Sequence, residues 1–248
     1  MKTVDPAEQL AATGMCGADV ISTLRHLHLA DEMGAVGQGM SRVPWLAAMT
    51  FHQPELAERV RSTRDMVTRG FRVSATDRIG YAMMEAAVAL PLELDIVNPV
   101  VVENCFPSGA LRVWARDLCD RGFASIMTAT SPPRAPHPSG GDPVVGTTPL
   151  CVAVPDPFGN HVIADMALTE ATYGDVLRGD ADETDIRFHS VGMWALAVAL
   201  ETMVRSMTTA SNSVLFLAWQ PTFKAAVEET SKRMDPWRMP GQTKGGGL

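Results

Sequence analysis

The stretch from residue 128 to residue 169 places the strongest constraint on the fold of this chain, because proline- and glycine-rich turns separate its apolar segments. An apolar segment at 123–127 leads into it, and two more, at 150–154 and 161–164, follow a Gly-Thr-Thr-Pro turn. Short apolar runs bounded by such turns predict β-strands. Rigid loops at strand ends often hold small molecules, so we expect a ligand site in this stretch.

The bulk composition fits a folded protein and excludes several classes. With 248 residues, 46% of them hydrophobic, the chain can bury a substantial core. Its net charge of −7 argues against nucleic-acid binding, which requires a basic face. Four cysteines without CxxC spacing predict no metal site. Neither a membrane span of about 18 apolar residues nor a signal peptide is present, so we expect a cytoplasmic protein.

The spacing of apolar and turn residues predicts the remaining helices and strands. A first helix at 6–33 can be interrupted at Gly14 and Gly17, and His26 and His28 within it are expected at the surface. The later predicted elements are a glycine-rich turn at 34–44, a charged helix at 55–69, a strand at 71–75, a helix at 78–94, a strand at 96–102, a helix at 110–120, a helix at 189–207, a strand at 213–219 and a helix at 221–234.

Three local features refine this outline. Ser108 is the expected N-cap of the helix at 110–120, and the strands on either side of that helix predict a βαβ-like unit. No GxGxxG motif is present, so a Rossmann dinucleotide site is not predicted. The helix at 189–207 is apolar around most of its circumference and is expected to be central and buried.

Four motifs follow one another along the chain: GMSRVP at 39–44, TSPPRAPHPSGGDPVVGTTP at 130–149, DMA at 165–167 and Pro-Gly at 240–241. In kind and order they resemble the motifs of the type-2 malate/L-lactate dehydrogenases. That family includes sulfolactate dehydrogenases, ureidoglycolate dehydrogenases and cyclic-imine reductases. The resemblance covers nearly the whole chain, although this chain is shorter, mainly between residues 170 and 189 and near its C-terminus.

The resemblance implies an α/β fold with a mixed sheet and flanking helices, like sulfolactate dehydrogenase and unlike a Rossmann fold. It also implies a homodimer and NAD- or NADP-dependent reduction of a 2-oxo acid or a cyclic imine acid. We divide the chain into a substrate-loop region at 1–75, a cofactor-cleft region at 76–170 and a C-terminal region at 171–248. These regions are expected to form one compact unit.

The resemblance assigns roles to particular residues. Arg42 stands where the family binds the substrate carboxylate, a task that suits the forked guanidinium. Asp165 stands where an aspartate orients the catalytic histidine. The expected cofactor-binding residues are Thr130, Ser131, Thr147 and Met166.

The family's histidines are replaced in this chain. Gln38 stands at the first catalytic position, and Pro107 stands at the second, within the turn ENCFPSG at 103–109. A third histidine survives only as His189. An amide cannot shuttle a proton as an imidazole does, so another group must supply it unless the substrate is an iminium that already carries one. The candidate substitutes are His189, Cys105 and Tyr81.

Three functions remain open at this stage. The first is an NAD(P)H-dependent reductase of a cyclic imine acid or 2-oxo acid. The second is a non-redox lyase, isomerase or cyclase that keeps Arg42 for a carboxylate-bearing metabolite. The third is a homologue without catalytic activity. Cofactor binding distinguishes the first from the others, since fold alone does not determine function.

Overall fold

The computed structural model describes residues 5–49, 61–64, 70–75, 78–210 and 212–221. Within these ranges the helices are α1 (Pro6–Ala11), α2 (Gly17–Glu32), α3 (Val43–Ala47), α4 (Gly80–Val88), α5 (Leu111–Asp120), α6 (Tyr173–Arg178) and α7 (Val191–Met207). The strands are β1 (Arg61–Arg64), β2 (Phe71–Ser74), β3 (Asn98–Val102), β4 (Ala124–Ala129), β5 (Pro149–Val154), β6 (Val162–Ala167) and β7 (Val214–Trp219).

The described strands form one mixed sheet in the order β1-β2-β3-β7-β4-β5-β6. β2 and β3 run parallel, and the other neighbouring pairs are antiparallel. The last strand, β7, enters between β3 and β4, so all three sequence regions contribute strands to the same sheet. This arrangement confirms the predicted α/β class with a mixed sheet.

The main core lies between one face of the sheet and helices α2, α4 and α5. Its largest fully buried side chains include Trp114, Tyr81 and Phe216. On the opposite face, Val204 of α7 packs against Val101 and Leu215 in a smaller cluster. The βαβ-like unit is present, with β7 inserted between its two strands.

The first helix is interrupted as predicted, because Gly14 adopts φ of 93° between α1 and α2. The predicted surface position of His26 is wrong, because its ring is fully buried between Trp114 and Tyr81. His28 is exposed, as expected. The two histidines lie two residues apart on α2, and therefore they face different surroundings.

The predicted N-cap of α5 is also wrong. The helix begins at Leu111 with Ala110 as its N-cap, and no side chain at the cap position bonds to the helix. Instead, His26 accepts a hydrogen bond from Ala110 N (3.0 Å), and Asp165 accepts one from Arg112 N (3.0 Å). Groups distant in sequence therefore satisfy the first amides of the helix, which local patterns cannot reveal.

Two predicted helices differ from the structure. In α7 only Ala197, Glu201 and Val204 are buried, so it is a half-exposed surface helix rather than a central one. Within the predicted helix at 55–69, residues 61–64 form β1, because pairing with β2 overrides the local pattern. The rest of that helix, the helix predicted at 221–234 from its second residue onwards, and the Pro-Gly motif at 240–241 lie outside the described residues.

The contact of Gly109 with the buried rings yields a stability prediction. A Cβ at Gly109 would lie 2.2 Å from His26 Nε2 and 2.6 Å from a ring carbon of Tyr81, whereas one at Gly140 would meet nothing within 4 Å. Both glycines have positive φ, so alanine strains both backbones by about 1–2 kcal/mol. Gly109→Ala should therefore lower the free energy of unfolding by about 1–3 kcal/mol more than Gly140→Ala, measured in urea. Equal losses would contradict the tight packing behind Gly109.

Candidate active site

A cleft of about 350 Å³ opens where the turn after α2, the turn before α5, the loop after β4 and the start of α6 meet. Four arginines and two aspartates line it, giving a net charge of +2 in a chain whose net charge is −7. These residues are Arg42, Arg112, Arg134, Arg178, Asp165 and Asp175. The excess of positive charge suits an anionic ligand.

Arg42 is the most buried arginine of the cleft, with 7% of its surface exposed. It ends a short 3-10 helix, Met40–Arg42, just before α3. Its Nε donates to Gly37 O (2.8 Å), and its guanidinium lies 5.0 Å from the centre of the Trp45 ring. This is its one hydrogen bond within the described ranges, which leaves both terminal amino groups for a ligand.

Burial lowers the pKa of Arg42, and the neighbouring groups Tyr81, Tyr173 and Asp175 oppose that shift. The guanidinium nevertheless stays charged at any working pH. A buried cation without a bonded anion is costly, and a carboxylate that binds both terminal nitrogens would remove that cost.

Arg178 of α6 brings a second guanidinium to the same part of the cleft. Its NH1 atom is buried without a hydrogen-bond partner in the described part of the chain, while NH2 donates to Asp175 (3.1 Å). Two glycine backbones allow this approach. A Cβ at Gly37 would lie 2.4 Å from Arg178 NH1, and one at Gly174 would lie 3.0 Å from Arg42 NH2. A side chain at Gly37 would displace Arg178, and one at Gly174 would clash first with the main-chain oxygen of Gly37, 2.4 Å away.

Asp165 binds Arg112 rather than a histidine. Its Oδ2 accepts hydrogen bonds from Arg112 N (3.0 Å) and Nε (3.3 Å), and its main-chain oxygen accepts one from NH2 (3.2 Å). Arg112 NH1 donates to Met33 O at 3.0 Å, beside the end of α2. Burial raises the pKa of Asp165, and Arg112 partly offsets that rise. The pair fixes β6 against α5 and the end of α2.

The predicted cofactor residues Thr130, Ser131 and Thr147 all line the cleft. Thr130 exchanges hydrogen bonds with Ser213, its Oγ1 accepting from Ser213 N at 2.9 Å. Gly146 has no side chain, and a Cβ there would lie 1.9 Å from the Ser131 hydroxyl oxygen. The loops that carry these hydroxyls therefore pack closely at the wall of the cleft.

A buried glutamate on α7 holds the turn before β5. Glu201 is 2% exposed and accepts hydrogen bonds from Gly146 N (2.8 Å) and Thr148 Oγ1 (3.2 Å). Arg205 lies 3.3 Å from its other carboxylate oxygen. Sequence reasoning missed this role, although an acid within the apolar segment 191–204 was a signal. For Arg112 and Arg178 the sequence carries no comparable signal.

Two predicted site residues lie elsewhere. Met166 is exposed on the face of β6 opposite Asp165, because successive side chains of a strand alternate. His189 is 65% exposed at its side chain and faces Glu170, with Nδ1 and Oε1 3.5 Å apart. Gln38 lines the cleft, as do Arg42 and Asp165. The structure thus brings six of the eight predicted residues together and leaves Met166 and His189 outside.

The fold and its cleft define an α/β protein with a cleft in which arginines outnumber aspartates. The profile of the malate/L-lactate dehydrogenases matches residues 6–191. The chain therefore belongs to the malate/L-lactate dehydrogenase family, a family of oxidoreductases. Among functionally curated proteins, none matches this chain.

Solved structures share the fold at low sequence identity. A Δ1-piperideine-2-carboxylate reductase from Pseudomonas syringae has a TM-score of 0.79 at 15% identity, covering 98% of this chain and 92% of that one. A malate dehydrogenase from Pyrococcus horikoshii has a TM-score of 0.72 at 14% identity, and the match covers 97% of this chain and 82% of that one. A sulfolactate dehydrogenase from Methanocaldococcus jannaschii has a TM-score of 0.68 at 17% identity, and the match covers 93% of this chain and 79% of that one. These likenesses establish the sulfolactate-dehydrogenase-like fold.

Substitutions at Asp165 test the bond to Arg112. The main-chain N and the Nε of Arg112 both donate to the same carboxylate oxygen of Asp165, and an asparagine side-chain oxygen can take its place. Asp165→Asn should therefore keep the fold, whereas Asp165→Ala should lower the free energy of unfolding by about 1–2 kcal/mol. Because burial raises the pKa of Asp165, its ionisation favours the unfolded chain as pH rises above about 4.

The stability of the wild type relative to Asp165→Asn should therefore fall between pH 4 and pH 7, measured by urea unfolding at each pH. A difference that stays constant over this range would contradict the raised pKa.

Proposed function

We propose that the protein is an NAD(P)H-dependent reductase of a small substrate that carries a carboxylate, either a cyclic imine acid or a 2-oxo acid. The observation that carries this proposal is the buried guanidinium of Arg42, whose terminal nitrogens are available in the cleft of a dehydrogenase-family fold. A substrate carboxylate held there bidentately would have a fixed orientation.

The residues of the cleft fit a nicotinamide dinucleotide. The buried, unpartnered NH1 of Arg178 and the surplus of arginines suit phosphate oxygens, and the hydroxyls of Ser131 and Thr147 suit ribose and phosphate groups. The hydroxyl of Thr130, bonded to Ser213, would line the same wall. When bound, the reduced nicotinamide supplies a hydride. We do not assign Met166 or His189 to this site, because their side chains lie outside the cleft.

The chain's own groups would orient the substrate and limit its contact with water. Trp45 lines the cleft beside Arg42, and its ring packs edge-on against Phe106 (6.0 Å) and Tyr173 (6.4 Å). Arg134 lies over the Tyr173 ring at 3.5 Å. Gln38 faces the same space, where its amide can bond to a substrate but cannot donate a proton for reduction. A substrate that arrives as an iminium would not need that proton.

A second candidate follows from the residues at the two histidine positions. Gln38 and Pro107 both line the cleft, and neither can transfer a proton. The same scaffold could therefore serve a non-redox lyase, isomerase or cyclase that binds its substrate through Arg42. A cleft that binds small carboxylates but no nicotinamide cofactor would support this alternative.

The homodimer and the cytoplasmic location also belong to this proposal. The exposed apolar residues Val191, Leu196 and Met203 of α7 support a subunit contact on that helix. In the described part of the chain, none of the helices combines the length and apolar character that crossing a membrane requires.

Cofactor titration is the first test of the reductase. Nicotinamide fluorescence and melting temperature should show saturable binding of NADPH or NADH below about 1 mM, the upper end of common Michaelis constants. Cyclic imine acids should then be screened before 2-oxo acids, because they can do without a histidine acid. The absence of binding by either cofactor at millimolar concentration would reject the reductase and favour the non-redox alternative.

Removal of Arg42 tests the carboxylate site. Arg42→Ala should weaken binding of oxalate, a small carboxylate that cannot be reduced, by roughly 30- to 1,000-fold, as expected for about 2–4 kcal/mol from a desolvated charge pair. Calorimetric titration measures the affinity, and circular dichroism checks the fold. Arg187→Ala is the matched control, since Arg187 is exposed and pairs with Glu170 outside the cleft. Unchanged affinity in Arg42→Ala would rule out this role.

A further inference from the structure

Three aromatic rings line the cleft next to Arg42, and we call them the aromatic wall: Trp45, Phe106 and Tyr173. Trp45 lies on α3, three residues after Arg42, whereas Phe106 belongs to the turn after β3 and Tyr173 begins α6. The ring of Phe106 is open to solvent, with 37% of the residue exposed. Adjoining apolar rings in a cleft form a surface that an apolar part of a ligand can cover.

The aromatic wall begins at the guanidinium of Arg42 itself. The guanidinium carbon lies 5.0 Å from the centre of the Trp45 ring. The centre of that ring lies 6.0 Å from the centre of Phe106 and 6.4 Å from the centre of Tyr173, with interplanar angles of 84° and 72°. The part of a small substrate that follows its carboxylate therefore has aromatic carbon within reach when the carboxylate is bound to Arg42.

Two other arginines of the cleft are already bonded to acids. The Nε atom of Arg112 donates to Asp165 at 3.3 Å. In Arg178, Nε donates to Asp180 at 2.7 Å and NH2 donates to Asp175 at 3.1 Å. A second carboxylate on the substrate would have to compete with these aspartates, whereas an apolar group beside Arg42 would not.

The fourth arginine lies at the far end of the aromatic wall. The guanidinium carbon of Arg134 lies 3.5 Å from the centre of the Tyr173 ring, and its NH1 lies 3.8 Å from the exposed carboxylate of Glu183. Arg42 meets the wall at Trp45 instead. Arg134 thus covers Tyr173 and leaves the ring of Phe106 open, and its charge belongs to the surplus that suits cofactor phosphates.

We propose that the aromatic wall holds a flat, apolar group of the substrate, so that the enzyme acts on acids whose other end is a ring rather than a second acid. This inference rests on the proposed reductase function and on Arg42 as its carboxylate site. A cyclic imine acid and an aryl-substituted 2-oxo acid both meet the requirement, but a 2-oxo diacid does not. Covering Phe106 removes apolar surface from water, and ring-to-ring contacts add to that gain.

Two acids that cannot be reduced test the proposal on the wild-type protein. Phenylacetate joins an aromatic ring to its carboxylate through one carbon, whereas succinate carries a second carboxylate. In calorimetric titrations phenylacetate should bind roughly 10-fold more tightly than succinate or better, because its ring buries apolar surface against the wall. Equal affinities, or tighter binding of succinate, would overturn the proposal.

Phe106→Ala tests the wall itself, with Phe158→Ala as the matched control. Phe158 is 75% exposed in the turn between β5 and β6 and is not among the residues that line the cleft. Phe106→Ala should weaken phenylacetate roughly 3- to 10-fold, the range expected for one aromatic pair, and Phe158→Ala should leave its affinity unchanged. The same response in both variants would contradict a ring contact at Phe106.

Oxalate separates a lost ring contact from general damage to the cleft. It has a carboxylate for Arg42 but no apolar group, so Phe106→Ala should leave its affinity unchanged while phenylacetate binds more weakly. A similar loss of both ligands would overturn the proposal, because it indicates that the whole cleft has changed. Melting temperatures report whether the variants are folded. If Phe106→Ala does not fold, the comparison of phenylacetate with succinate on the wild type still decides.

These titrations need no cofactor, so the two proposals can fail separately. If neither NADH nor NADPH binds but phenylacetate behaves as expected, the reductase function fails and the aromatic wall remains a substrate site for a non-redox enzyme. If a cofactor binds but succinate binds more tightly than phenylacetate, the role of the aromatic wall fails and the reductase function stands.

Discussion

The bond between Asp165 and Arg112 organises the candidate site. One aspartate on the edge strand β6 satisfies the first turn of α5 and holds the Arg112 side chain, whose other end bonds to the carbonyl of Met33. Three elements that are distant in sequence thus meet at a single ion pair. Removing one partner would be costly, because it would leave an unpaired carboxylate or guanidinium in a buried position.

A second buried acid performs a similar task at the turn before β5. Glu201 of α7 accepts hydrogen bonds from the turn before β5, and that turn presents Thr147 to the cleft. The two acids differ in their partners. Asp165 is bonded to a cation, whereas Glu201 is bonded mainly to the backbone and hydroxyl of a loop. Asp165 on β6 and Glu201 on α7 thus each position residues of the cleft that belong to a different element of the fold.

The sheet and most of its strands could be predicted from sequence, because short apolar runs between turns are a local signal. The Arg42 loop and the hydroxyl-bearing loops could be predicted as site segments by their motifs. The burial of His26, the start of α5 and the partner of Asp165 could not, since each depends on a contact between residues far apart in the chain. α7 shows the opposite error, as its apolar composition suggested burial while its position on the outer face leaves much of it exposed.

Gln38 and Pro107 limit how this cleft could reduce a substrate. Both residues line it, and neither an amide side chain nor a proline ring can transfer a proton. Under the proposed reductase function, another group would have to supply that proton, or the substrate would have to arrive as an iminium that already carries one. Arg42 would bind the substrate carboxylate in either case, because its terminal nitrogens are available in the same cleft.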